Sequence, residues 1–226
     1  MKRIYKLSPS DLTFLWDECK RCFYLKVTRG YRRPAIGFPK IFIRIDQLMK
    51  DHYLDQSTKA ISPSLPEGKV HLTGRWVESE SISDPDHQAE VYITGMFDTV
   101  LKFDNGSFGV VDFKTTEVKD EHVNFYARQL QAYAYALEHA APTKLSLKPI
   151  SVLGLLCFEP RQMDQDEQGR LTYSGQVVWQ PCPLDENTFL SFIREVMAVL
   201  DQEEPPDAGE KCEYCKYREL ARVTNV

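Results

Sequence analysis

Residues 95–116 read GMFDTVLKFDNGSFGVVDFKTT. Two apolar, β-prone runs flank the turn signal Asp104-Asn105-Gly106, so the segment predicts a β-hairpin. Yet it carries Asp98, Asp112 and Lys114 where a buried hairpin should offer apolar side chains. Side chains alternate along a strand, so Asp112 and Lys114 share one face and Val111, Phe113 and Thr115 the other. The turn decides where Asp98 falls. A two-residue Asn105-Gly106 turn would pair Asp98 with Phe113, on the face opposite Asp112. A three-residue loop with Gly106 left-handed pairs Phe103 with Ser107 and sets Asp98 opposite Asp112. Only the second register gathers Phe97, Leu101, Phe103, Val111 and Phe113 on one apolar face, and burial selects it.

Two carboxylates facing each other repel unless something positive lies between them. A hard divalent cation suits that place, because Mg²⁺ takes a few carboxylate oxygens and keeps waters that can become nucleophiles. Lys114 would then hold the attacking water or neutralise charge growing on a phosphoryl oxygen. The plainer reading of an isolated D-x-K is a solvated ion pair. The spacing from Asp98 to Asp112, the apolar GVVDFK run and the helix that follows argue against it.

Around the hairpin, Ser8-Pro9-Ser10-Asp11 predicts a helix start capped by Ser8 and continuing through Leu12, Leu15, Trp16 and Cys19. A loop at YRRPAIGFP precedes a second helix over 40–54, and a polar loop at ISPSLPEGK precedes strands over 70–77, 91–103 and 108–115. Val123, Tyr126, Leu130, Ala134 and Leu137 recur at helical spacing and predict a helix over about 121–140. SVLGLLCFEP and GQVVWQ, joined by MDQDEQGR, read as another hairpin. A last helix near 185–202 buries Phe189, Phe192, Ile193, Val196 and Leu200 and stops at EEPPDAGEK. The sum is a mixed α/β or α+β fold. At 226 residues, 42% of them hydrophobic, the chain is read as one domain spanning 1–226.

No run of 18 apolar residues occurs and MKRIYKLSPSD lacks the apolar centre of a signal peptide, so neither spanning nor secretion is expected and the cytoplasm is the expected compartment. There the six cysteines are expected as core residues or metal ligands rather than bridges. The net charge of −5 hides an asymmetry: residues 1–50 hold twelve Lys/Arg against four Asp/Glu, and the remainder sixteen against twenty-nine. The basic stretch Lys20–Arg44, interleaved with Phe23, Tyr24 and Tyr31, could track a phosphate backbone and stack bases; Arg29, Tyr31, Arg32 and Arg33 are its candidate DNA contacts. A solvated basic face is the bland alternative.

GMFDTV, then VVDFKTT, then QLQAYAYALE resembles the PD-(D/E)XK nuclease superfamily, in particular its RecB-type nuclease domains and CRISPR-associated exonucleases. The resemblance implies a restriction-endonuclease-like core, a central mixed sheet flanked by helices. It implies that Asp98, Asp112 and the Phe113 backbone carbonyl bind Mg²⁺ or Mn²⁺, and that Lys114 supports a metal-activated water. The Q-x-x-x-Y signature maps onto Gln129 and Tyr133, one turn apart on one helix face and able to reach the site or DNA phosphates. The implied activity is a deoxyribonuclease, most simply an exonuclease acting on single strands or duplex ends, with a helicase or another repair or CRISPR protein as partner. The alternatives are a nuclease-fold protein that binds DNA or a partner without cutting, and a hydrolase of other phosphoesters.

The chain departs from that pattern twice. Where the branch often carries a His or Glu on the helix before the sheet, IRIDQLMKDH offers Asp46 as the extra ligand, with Lys50, Asp51 and His52 nearby. Related exonucleases often hold a 4Fe–4S cluster on one N-terminal cysteine and a C-terminal C-x₂-C-x₅-C. Here Cys212 and Cys215 begin that pattern, but Ala221 stands at the third position and Cys19 and Cys22 form a second C-x-x-C. Two such pairs make a Cys₄ site suited to zinc or an iron–sulfur cluster, around which segments 1–50 and 203–226 would pack together. Cys157 and Cys182 lie in apolar strand contexts and are read as core residues.

Overall fold

A computed structural model describes residues 2–34, 37 and 39–223. The deciding hairpin is formed by β3 (Ala89–Phe103) and β4 (Phe108–Thr115). Its register runs from Thr99 opposite Val111 to Lys102 opposite Phe108. The Phe103 amide donates to the Ser107 carbonyl at 2.9 Å and Gly106 adopts φ +87°, a left-handed turn position that glycine takes without a Cβ clash. This is the three-residue loop, and continuing its register one step beyond Thr99 and Val111 brings Asp98 level with Asp112.

Among the described residues two large clusters form the core, one on each side of the sheet, and a third, small one gathers Cys19, Cys22 and Cys212. Leu101, Phe103, Val111 and Phe113 pack with Met49 and Tyr53 of the helix α3 (Lys40–Tyr53). The larger cluster joins the sheet to α2 (Lys20–Arg29), α4 (Asp120–Glu138) and α5 (Glu186–Leu200) through Phe23, Leu130, Leu137, Phe189, Ile193 and Val196. Phe97 is an exception to the expected apolar face. It packs in the larger cluster with Val100 and Val110, so the alternation of β3 changes phase beside Asp98.

The six-stranded sheet runs β1 (Arg3–Leu7), β3, β4, β5 (Ile150–Gln165) and β6 (Leu171–Cys182), with β2 (Gly68–Glu78) also paired to β3. β4 and β5 (Ile150–Gln165) are parallel and are linked through α4, a β-α-β unit. Burial on both faces explains why GVVDF reads as a continuous run rather than an alternation. β6 (Leu171–Cys182) returns antiparallel to β5. The sheet is therefore mixed and flanked by helices, a restriction-endonuclease-like α/β arrangement. Among the described residues no helix is long and apolar enough to cross a membrane.

Four elements differ from the sequence reading. β1 (Arg3–Leu7) pairs parallel with residues 89–93, although RIYKL buries only Leu7 fully and its partner is remote in sequence. The first helix is not continuous. It opens as expected, with the Asp11 amide donating to Ser8 Oγ at 3.2 Å, but passes through a π-helical turn (Asp11–Leu15) into the short α1 (Trp16–Glu18). It breaks at the extended Cys19 before α2 begins. The hairpin after Leu156 has a tight turn at 166–170, because backbone pairing from Gln162 opposite Ser174 to Gln165 opposite Leu171 carries polar residues into the strands. Finally, α6 (Glu213–Val223) follows α5; it buries no residue completely, so it left no apolar stripe to find.

Candidate active site and cysteine centre

The β3–β4 pairing delivers two carboxylates to the end of the hairpin away from its turn, where α3 and α4 approach from opposite sides. Asp98 Oδ2 accepts the Phe113 amide at 2.9 Å, and Asp98 Oδ1 meets Lys50 Nζ at 2.8 Å. The same ammonium lies 2.8 Å from Asp46 Oδ2, one turn earlier on α3. Asp112 is 3% exposed; its Oδ1 accepts from Gln129 Nε2 at 3.3 Å, and its Oδ2 is ion-paired with Lys114. The Lys114 ammonium also lies 4.4 Å from the centre of the Tyr126 ring, a cation–π contact that holds the chain over the sheet.

Burial pushes the Asp112 carboxyl up to about 7; the Lys114 charge opposes that rise, and Asp98 adds to it. Desolvation works against the charged form of Lys114, but Asp112 and Asp98 together outweigh it and hold the ammonium above its ordinary range. Carboxylate repulsion is thus built into the folded chain. The Lys114 ammonium is the partner of Asp112 Oδ2. The carboxylates of Asp98 and Asp112 supply hard oxygens, the donor type that Mg²⁺ or Mn²⁺ takes.

Tyr133 is placed differently from a phosphate contact. Its buried hydroxyl donates to the Met96 carbonyl at 2.8 Å, tying α4 to β3 two residues before Asp98. Gln129 and Tyr133 therefore brace the two aspartates from one helix face. The sequence reading named Lys50 only as a neighbour of Asp46 and gave Tyr126 only a place on the helix face; the i, i+4 spacing of Asp46 and Lys50 was the available signal for the first. A groove of about 740 Å³ runs between α3 and the β5–β6 strands, lined by Phe42, Arg44, His52, Tyr53, Thr115 and Tyr173 among others; Asp46, Lys50, Asp98, Asp112 and Lys114 are not part of its lining.

A second site is built from cysteines. Cys19, Cys22, Cys212 and Cys215 place their four sulfurs within 4.8 Å of one another. Cys19 is 3.8 Å from Cys215, and Cys22 is 3.8 Å from Cys212 and 3.5 Å from Cys215. A tetrahedron of Zn–S bonds of about 2.3 Å has edges of roughly 3.8 Å, so the set fits a single tetrahedral ion. Gly209 donates its amide to Cys19 Sγ at 3.3 Å; a Cβ there would stand 2.4 Å from the Glu18 carbonyl oxygen. Burial raises the Cys19 thiol, but the amides of Gly209 and Cys22 and the neighbouring thiols overcome it and bring it down to about 7.

Arg33, expected on a nucleic-acid face, points into this centre. It pairs with Glu18 at 2.6 Å and donates to Cys212 Sγ at 3.1 Å, because a partly buried guanidinium takes the carboxylate and thiol acceptors beside it. Arg29 reaches Glu204 at 3.9 Å and lies over Tyr24, while Tyr31 is exposed. Arg32 is exposed as well. No contact among the described residues joins these four to Asp98, Asp112 or Lys114.

The profile of the PD-(D/E)XK nuclease superfamily matches residues 44–220, which include the hairpin, both aspartates, Lys114 and the helix after them. The chain belongs to that superfamily. Among solved structures, the crystal structure of SSO0001 is similar over 96% of this chain and 86% of its own length, at 17% identity and a TM-score of 0.49. No curated protein matches the chain.

Proposed function

We propose that this nuclease-fold chain is a Mg²⁺- or Mn²⁺-dependent deoxyribonuclease of the RecB-type and CRISPR-associated branch, trimming single strands or duplex ends as an exonuclease. The observation that carries this reading is the convergence of Asp98, Asp112 and Lys114 at one end of a hairpin, at a cost in repulsion that a merely structural site would not need.

Asp98, Asp112 and the Phe113 carbonyl would hold the divalent ion. Bound there, it would supply Lewis-acid polarisation of a phosphate and lower the pKa of a water. Lys114 keeps about a fifth of its side-chain surface open, so its ammonium can both orient the attacking water and stabilise charge on the phosphoryl oxygen. Gln129 fixes Asp112 through Oδ1, Tyr133 fixes the β3 backbone, and the Phe113 amide fixes Asp98. The apolar groove beside Thr115 suits unstacked bases, with Arg44 placed for a phosphate.

The same reading makes the chain one domain whose terminal segments are stapled through the Cys₄ centre. Its sulfur separations favour a single zinc ion over an iron–sulfur cluster, whose thiolates must spread around several irons. All six cysteines are unpaired, which suits a reducing cytoplasm, and a helicase or another repair or CRISPR protein is the expected partner. The test is a parallel assay of single- and double-stranded DNA, RNA and small phosphoesters with each metal, using the wild type and Asp98→Asn. DNA cleavage lost in the variant supports the reading. Cleavage of small phosphoesters alone replaces it with another hydrolase.

A further inference from the structure

Lys50 is almost fully buried, yet it carries a cation into the middle of the acidic cluster. Its ammonium touches Asp46 Oδ2 and Asp98 Oδ1, each at 2.8 Å, and so bridges two carboxylates as a metal ion would. Asp98 therefore turns one oxygen to Lys50 and the other to the Phe113 amide, whereas Asp112 faces Lys114 and Gln129. Three carboxylates (Asp46, Asp98, Asp112) against two ammonium groups (Lys50, Lys114) leave a net charge of −1. One divalent ion reverses that to +1, which attracts a phosphodiester. A second would raise it to +3 and would compete with a fixed ammonium for the same oxygens of Asp46 and Asp98.

Resting on the reading of Asp98 and Asp112 as metal ligands, we propose that Lys50 is a built-in cation that occupies the second ion position, between Asp46 and Asp98, and restricts the active site to one divalent ion. Asp46 is then the partner that orients Lys50 rather than a direct ligand. The ammonium is held by α3, whose Met49 and Tyr53 pack beside Phe113, so it is placed by the core and not by a flexible surface arm. Lys50 is in this sense a positioning residue that sets metal stoichiometry.

The test is Mn²⁺ binding to the full-length chain without nucleic acid, read by calorimetry and by electron paramagnetic resonance. Ions retained by an Asp98→Asn/Asp112→Asn double variant are subtracted as bound elsewhere. The wild type should bind one Mn²⁺ in the site. Lys50→Met should bind two, with a spin-coupled resonance, and Lys50→Arg should return to one. Adding Asp46→Asn to Lys50→Met removes the repulsion left between Asp46 and Asp98, and should also return to one because the second position loses a ligand. Circular dichroism confirms that each variant is folded. Two coupled ions in the wild type, or one ion of unchanged affinity in Lys50→Met, overturns the role of Lys50. Binding that the double aspartate variant does not diminish overturns the metal-site reading itself.

Discussion

Replacing Asp112 by Asn should stabilise the protein when no divalent ion is present. The Asp112 carboxyl is held at about 7, against 3.8 for an ordinary Asp, chiefly by burial. Because the folded value lies above the unfolded one, ionisation costs stability: nothing well below pH 3.8, a growing amount between about 4 and 7, and the full amount above. That displacement corresponds to about 4 kcal/mol at pH 8. Coupling to Lys114 and Asp98 makes about 2–4 kcal/mol the range to expect. Asn is close in shape to the protonated acid, so Asp112→Asn should match the wild type near pH 4 and exceed it by that margin at pH 8. Urea denaturation in buffer free of Mg²⁺ and Mn²⁺, followed by circular dichroism across that pH range, measures the gap. Adding Mn²⁺ should narrow or reverse it, since binding stabilises only the protein that keeps its ligands. A variant less stable than the wild type at pH 8, or a gap independent of pH, would refute the reasoning.

Gly209→Ala should lower the melting temperature and loosen the cysteine centre, because the new methyl meets the Glu18 carbonyl; circular dichroism and zinc retention on dialysis report it. Cys212→Ser with Cys215→Ser should abolish one equivalent of zinc by elemental analysis and destabilise the fold by several kcal/mol, since the ion closes a loop of roughly 190 residues; undiminished stability would remove its structural role. Tyr133→Phe removes the bond to the Met96 carbonyl and should cost about 1 kcal/mol in stability with a fall in kcat, while Mn²⁺ affinity changes little.

The hairpin was legible because one choice of turn gathered Leu101, Phe103, Val111 and Phe113 on one face and the other did not, and burial is a strong arbiter of register. Phe97 departed from that face because β3 changes phase beside Asp98, which no local pattern records. β1 and α6 were hidden for opposite reasons. β1 is held by a partner more than eighty residues away, and α6 keeps its place without a buried stripe. Two C-x-x-C pairs, read against the cluster pattern of the exonucleases that the chain resembles, made the four cysteines candidates, and the structure unites them across the chain. Arg33 was misplaced because a basic run in sequence does not say which charge turns inward; Glu18 and Cys212 decide it. Lys50 carried too weak a signal, since a Lys one turn after an Asp is common on any exposed helix, and only the fold brings Asp98 to it.

The most direct measurement of the central claim is the rate of DNA cleavage with Mg²⁺ or Mn²⁺ by the wild type beside Lys114→Ala. Lys114 is chosen because removing its ammonium strikes charge in the transition state while leaving both aspartates in place. The account predicts metal-dependent cleavage by the wild type and a loss of about 10²–10³ in the folded variant, with Mn²⁺ still bound. Cleavage at the wild-type rate by Lys114→Ala, or a metal-loaded wild type that leaves every DNA substrate intact, would contradict it.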